Sequence, residues 1–162
     1  MPLIERKLMA HYINAAKPSE TEEYVRLGKD LEEYSPSLNA EVEKKKNILG
    51  ETSVKVSSYE KEGSVEPYYA DTDDPLTERL QEIIDKQLVL DDVRSSIVDV
   101  HLWDSKGTNV YAAVKWPGMI EITSYGGDTT GYQIPFNFHY TEAGIEGTFN
   151  TSTKVFTASA SV

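Results

Sequence analysis

Apolar and polar positions alternate without a break near the end of the chain, with Tyr132, Ile134, Phe136, Phe138 and Tyr140 set against Gln133, Pro135, Asn137 and His139. Period two is the signature of a strand that buries one face. Pro135 donates no ladder hydrogen bond, so the pattern predicts an exposed or bulged edge at that point. Upstream, 97–103, 110–116 and 119–125 read as strands, separated by polar turns at 104–108 and 126–128 and by the break Pro117-Gly118. Downstream, a turn at 142–144 leads to strands at 145–149 and 155–158. Short strands at regular spacing imply a sandwich or barrel.

One segment has a different period. Leu76, Leu80, Ile83, Ile84 and Leu88 fall at i, i+4, i+7, i+8 and i+12, which places them on one face of an amphipathic helix over about 75–89. Asp74 is placed to accept from free amides of the first turn, and Pro75 stands at the first helical position, where it sacrifices no bond. Glu82 and Lys86 form an i, i+4 pair in the favourable order. Nearer the start, strands are expected at 8–15, 23–28, 52–60 and 65–70. Between the second and third of these lies a stretch of more than twenty residues, 29–51, which reads as a long extended loop. A loop of that length is unusual in a compact domain unless it has a partner, so it is expected to act as an arm. The fold expected from these elements is mainly β, with one helix and one long loop.

Composition narrows the function classes. At 162 residues the chain has the length of one domain, 1–162. Its net charge of −11 disfavours binding to DNA or anionic membranes by general electrostatic attraction. The absence of cysteine excludes disulfide frameworks, zinc ribbons and thiolate nucleophiles. No run approaches the roughly 18 apolar residues of a membrane helix, and the charged residues Glu5, Arg6 and Lys7 do not suit a signal peptide. The expectation is therefore a chain that is cytosolic when made. Charge is uneven: residues 1–92 hold 21 of the 27 acids and 12 of the 16 bases. That distribution suits solvated loops followed by sheet.

Candidate chemistry is sparse. His11, His101 and His139 all lie in strand patterns, and no GxSxG, HExxH or HxH motif is present. The acids of 71–74 with Glu82 have the length of a calcium loop, but Pro75 and Leu76 occupy the positions of its sharp turn, so helix capping is expected instead. Trp103, Tyr111, Trp116, Tyr125 and Tyr132 could form a sugar-stacking face or act as core and interface anchors. Lys44-Lys45-Lys46 is flanked by acids and reads as solvated. Neither catalysis nor a cofactor or metal is expected.

In element order the chain resembles the phage major tail proteins, the tail tube subunits of long-tailed phages and related phage-like particles. Its local echoes are Ser35-Pro36-Ser37 at the long loop, Asp74-Pro75 at the helix start, Gly147-Thr148-Phe149 and Val155-Phe156-Thr157. The resemblance implies a tail-tube-type β-sandwich or barrel that forms six-membered rings, with the rings stacking into a hollow tube. It further implies self-association, a tape measure protein within, terminator and baseplate proteins at the ends, and DNA passing through the lumen without specific binding. The location would be the virion tail, assembled in the host cytoplasm. On this basis Leu31, Tyr34, Leu38, Ile48 and Leu49 are the expected apolar contacts of the arm, and the helix would fill the junction between subunits. The alternatives are a monomeric β-sandwich binding module for carbohydrate or protein, and a secretion-system tube protein of the same fold.

Overall fold

A computed structural model describes residues 3–18, 20–27, 34–65 and 68–159. In chain order its elements are β1 (Met9–Asn14), β2 (Tyr24–Leu27), β3 (Ala40–Lys46), β4 (Thr52–Tyr59), β5 (Glu62–Val65), α1 (Pro75–Lys86), β6 (Arg94–Gly107), β7 (Val110–Ile122), β8 (Gly126–Asp128), β9 (Gly131–Gln133), β10 (Phe136–Tyr140), β11 (Ile145–Asn150) and β12 (Val155–Ala158). The protein is mainly β with one helix, as its sequence pattern implies. Leu31 lies outside the described residues.

Among the described residues, eight strands form one curled antiparallel sheet in the order β12-β11-β7-β6-β1-β2, with β10 also on β7 and β5 on β10. The geometry turns on β7. Its first half, Val110 to Lys115, pairs with β11, and its second half, Gly118 to Ile122, pairs with β10. Pro117 sits where β7 changes partners, so its missing amide hydrogen interrupts neither ladder. Gly118 leaves room for the Phe138 ring, which a Cβ there would overlap. The expected break at Pro117-Gly118 is therefore a fork within one continuous strand.

Both faces of the central strands are covered. Ile13 and Ile97 join Val65, Leu76, Leu80, Ile120, Phe136 and Phe138 in the core under the helix. On the opposite face Ala10, Tyr12, Val98 and Val100 pack with Tyr24, Ala113 and Phe149. That two-sided burial explains the near-continuous apolar run 97–100, which does not alternate.

Helix α1 forms where the pattern places it. The Asp74 carboxylate accepts from the Leu76 amide at 2.9 Å and from the Tyr68 hydroxyl at 2.6 Å, so its role is capping. Leu76, Leu80 and Ile83 are buried, and Ile84 and Leu88 are partly buried against the same core. The helix ends three residues before the expected limit because Gln87 turns left-handed at φ 48° and closes the last turn. Arg79, buried beneath it, donates to the carbonyls of Ala16, Asp92 and Arg94 and ties the helix to β1 and β6.

Several other boundaries differ from expectation. The alternating segment 132–140 is two strands: β9 ends at Gln133, β10 starts at Phe136, and Ile134 and Pro135 lie between them. The supposed turn at 126–128 is strand β8, paired with β9. The strand expected at 65–70 reduces to β5, ending at Val65, and a single bridge from Tyr69 to Gln133. The turn expected at 104–108 falls largely within β6, which runs to Gly107 through two register shifts.

Candidate functional site

The largest departure from the sequence reading concerns the arm. Its second half is not a loop: β3 and β4 pair as a separate two-stranded hairpin, from Ala40↔Tyr59 to Lys46↔Thr52. The strand expected at 52–60 is thus the returning half of the arm and not a member of the main sheet. The turn is built by Asn47, whose side-chain oxygen accepts from the amides of Leu49 at 2.9 Å and Glu51 at 3.0 Å. Gly50 follows at φ +83°, where a side chain would be strained.

Every residue of β3 and β4 is exposed. With seven residues at about 3.4 Å each, β3 alone reaches on the order of 20 Å or more. The ladder gives the hairpin two unlike faces. Ala40 and Tyr59, Val42 and Val56, and Lys44 and Val54 are paired on one; Glu41 and Ser58, Glu43 and Lys55, and Lys45 and Ser53 are paired on the other. The first face, which also carries the Lys46–Thr52 pair, is apolar toward the root at Ala40, Val42, Val54, Val56 and Tyr59 and bears Lys44 and Lys46 toward the tip. At the tip, Ile48 is 102% and Leu49 77% exposed. A two-stranded hairpin with no cover is marginally stable in water.

The root contrasts with the tip. The main-chain ladder extends to Ser37 and Glu62, which exchange hydrogen bonds at 2.7 and 2.9 Å. Beyond it the two ends of the hairpin converge on one buried pair. His11 and Asp99 lie directly opposite each other on β1 and β6, with His11 Nδ1 2.6 Å from Asp99 Oδ1. Arg6 Nη2 lies 3.0 Å from His11 Nε2. A guanidinium can only donate, so Nε2 accepts and Nδ1 carries the proton given to Asp99. Arg6 also donates to the Tyr34 carbonyl at 2.8 Å.

Tyr34, at the outgoing end, packs edge-on against His11 and shares a 2.7 Å hydroxyl contact with Tyr140. At the returning end Lys61 Nζ is 3.9 Å from Asp99 Oδ2 and 3.4 Å from the centroid of the Trp116 ring. Burial lowers the Lys61 pKa, and the Asp99 carboxylate opposes that shift. Burial pushes the Tyr34 and Tyr140 hydroxyls well above the ordinary tyrosine range. Gly63 is required here because a Cβ would collide with the Tyr34 ring.

The expected arm contacts therefore separate. Ile48 and Leu49 are presented together at the tip, and Leu38 is exposed near the root. Tyr34 is not a partner contact: it is 4% exposed and belongs to the chain's own core. Sequence reasoning missed the anchors His11, Asp99 and Lys61. The available signal was Asp99 itself, a carboxylate inside an apolar run.

The aromatic residues considered for sugar stacking are dispersed. Tyr111 stands near the start of β7 and Tyr125 three residues beyond its end, and Tyr132, on β9, donates its hydroxyl to Gln81 at 2.8 Å. Trp116 packs under Lys61, and Trp103 stacks on His101. Among the described residues no group of three or more His, Asp or Glu side chains could hold a metal ion, and no helix is long and apolar enough to cross a membrane. No protein-family model matches the chain, and no curated protein matches it.

Proposed function

We propose that this protein is a structural subunit that assembles through its β3–β4 hairpin, of the kind found in phage tail tubes. The observation that carries this reading is the hairpin: an arm anchored at both ends in the sheet, exposed along its whole length, with one face apolar toward the root and an apolar tip. A segment built in that way gains its cover from another chain. Edge strand β2, which pairs only with β1 among the described strands, supports the same reading, because edges left open in one copy can be paired by closing a barrel across copies.

On this reading copies form rings, six-membered by family resemblance, which stack into a hollow tube with no enzymatic role. Tape measure, terminator and baseplate proteins would be its partners, and the virion tail its location. A net charge of −11 suits a conduit for DNA, since carboxylates repel phosphates whereas rows of lysine would retain them by counterion release. The competing module for a small ligand would use the cleft of about 670 Å³ between β2 and the start of α1, lined by Tyr24, Arg26, Tyr69 and Asp71.

The test is negative-stain electron microscopy with light scattering on the purified protein at rising concentration. Rings or tubes of uniform width are expected, and a variant lacking residues 41–58 should remain folded and monomeric. Tubes formed by that deletion variant would remove the hairpin from the assembly. A wild-type chain that stays monomeric at every concentration, with or without a nucleating tail-tip complex, would overturn the reading.

A further inference from the structure

A second apolar surface lacks a partner. Between the end of α1, the segment that follows it and the end of β7 lies a groove of about 490 Å³. Ile84, Leu88 and Ile122 form its floor, partly buried against the core. Val89, Leu90 and Tyr125 form its walls and are 64%, 77% and 63% exposed. Leu90 holds a left-handed backbone at φ 54°, a conformation that is unfavourable for a non-glycine residue. The chain thus carries strain at a position where a leucine side chain projects into water.

The rim is acidic. Asp91 and Asp92 follow directly on Leu90, with Asp91 bound to Arg94 at 2.7 Å, whereas the Glu121 carboxylate is held by Asn137 at 3.1 Å and lies 3.5 Å from His139 on the neighbouring strand β10. The hairpin is complementary in each respect. Its tip is convex where the groove is concave, it ends in Ile48 and Leu49, and Lys44, Lys45 and Lys46 stand immediately behind. Residues 40–59 hold four lysines against three glutamates on a chain whose net charge is −11. Two tips packed on each other would instead bring six lysines together, which opposes self-pairing of the hairpin.

This inference rests on the assembly reading above and specifies its contact. We infer that the hairpin tip of one copy seats Ile48 and Leu49 in the α1–β7 groove of a second copy, with Lys44–Lys46 beside Asp91 and Asp92. Because tip and groove are different surfaces, the contact is heterologous. Each bound copy still offers a free tip and a free groove, so the contact propagates as a closed ring or an open stack.

The chain has no cysteine, so single cysteines report the contact cleanly. Leu49→Cys and Val89→Cys proteins, both altered only at exposed positions, would be mixed under mild oxidation. A disulfide-linked mixed dimer is expected from that pair and not from Leu49→Cys with Ser152→Cys, which lies by the turn next to the opposite end of β7. A second variant, Val89→Asp, should raise the concentration at which polymer appears on the order of tenfold or more, with an unchanged circular dichroism spectrum. Tubes that form while Leu49→Cys links equally well to Ser152→Cys, or never to Val89→Cys, would overturn the groove as the receptor and leave the assembly reading standing. Absence of both cross-link and polymer would overturn the two together.

Discussion

Two antiparallel strand pairs in this molecule make opposite use of the same ladder. In β1 and β6 the paired segments are buried on both faces, and Ile13, Ile97, Val98 and Val100 are fully enclosed. In β3 and β4 the ladder is as regular apart from one bulge, yet no residue is buried. Hydrogen bonds contribute little net stability when water competes for the same groups, so the first pair is held by apolar burial and the second by its root. The first ladder is enclosed by side chains and the second is open to water.

Alkaline pH should produce the largest effect, because it acts on several parts of the body at once. Burial raises the pKa of Tyr24, Tyr34, Tyr68 and Tyr140 well above its ordinary value. In the unfolded chain these groups ionise near pH 10, whereas in the folded chain they keep their protons. The stability they contribute is fully present below about pH 10 and is lost as pH rises beyond it. Denaturant midpoints should therefore fall steeply above that pH, with the buried tyrosines ionising only as the protein unfolds. Their free ionisation in the folded protein would contradict the packing described.

Leu80→Ala, within the helix face that completes the core, should cost about 2–5 kcal/mol in urea unfolding. Asp99→Ala should cost roughly 3 kcal/mol by leaving His11 Nδ1 and Lys61 without an acceptor. It should also make the hairpin more sensitive to protease, which separates anchoring from general stability. Asp74→Ala removes the helix cap and a partner of Tyr68, at a cost of about 1 kcal/mol. The smallest effect belongs to Val54→Ala on the hairpin face that is apolar toward the root, within about 0.5 kcal/mol for the monomer. A large destabilisation by Val54→Ala would mean that this face is already covered within one chain.

The same contrast explains what could be read from the sequence. Helix α1 was legible because its cap and its five apolar positions agree. The strands β10, β11 and β12 were legible from turns and alternation. Of the hairpin, β4 was legible as the strand expected at 52–60, but β3 was not, because Val42 stands among glutamates and lysines and an exposed strand shows no buried period to detect. The hairpin's turn signal, Asn47 with Gly50, is spread over four residues and not concentrated in an Asn-Gly pair. Tyr34 falls within the 29–51 arm in sequence. Its contacts are with His11 and Tyr140, which are distant in the chain and carry no local signal.

The root of the hairpin has a mechanical consequence. Tyr34 and Lys61 grip the sheet from the two ends of the arm, Lys61 bearing on Asp99 directly and Tyr34 through His11, and Asp99 stands in the longest of the described strands. A sideways load at Ile48 or Leu49 acts through a lever of six or more residues and is delivered as torque to β6. Because β6 is clamped between β1 and β7, the root is the fixed end of the arm, and its compliance resides in the exposed ladder between tip and root.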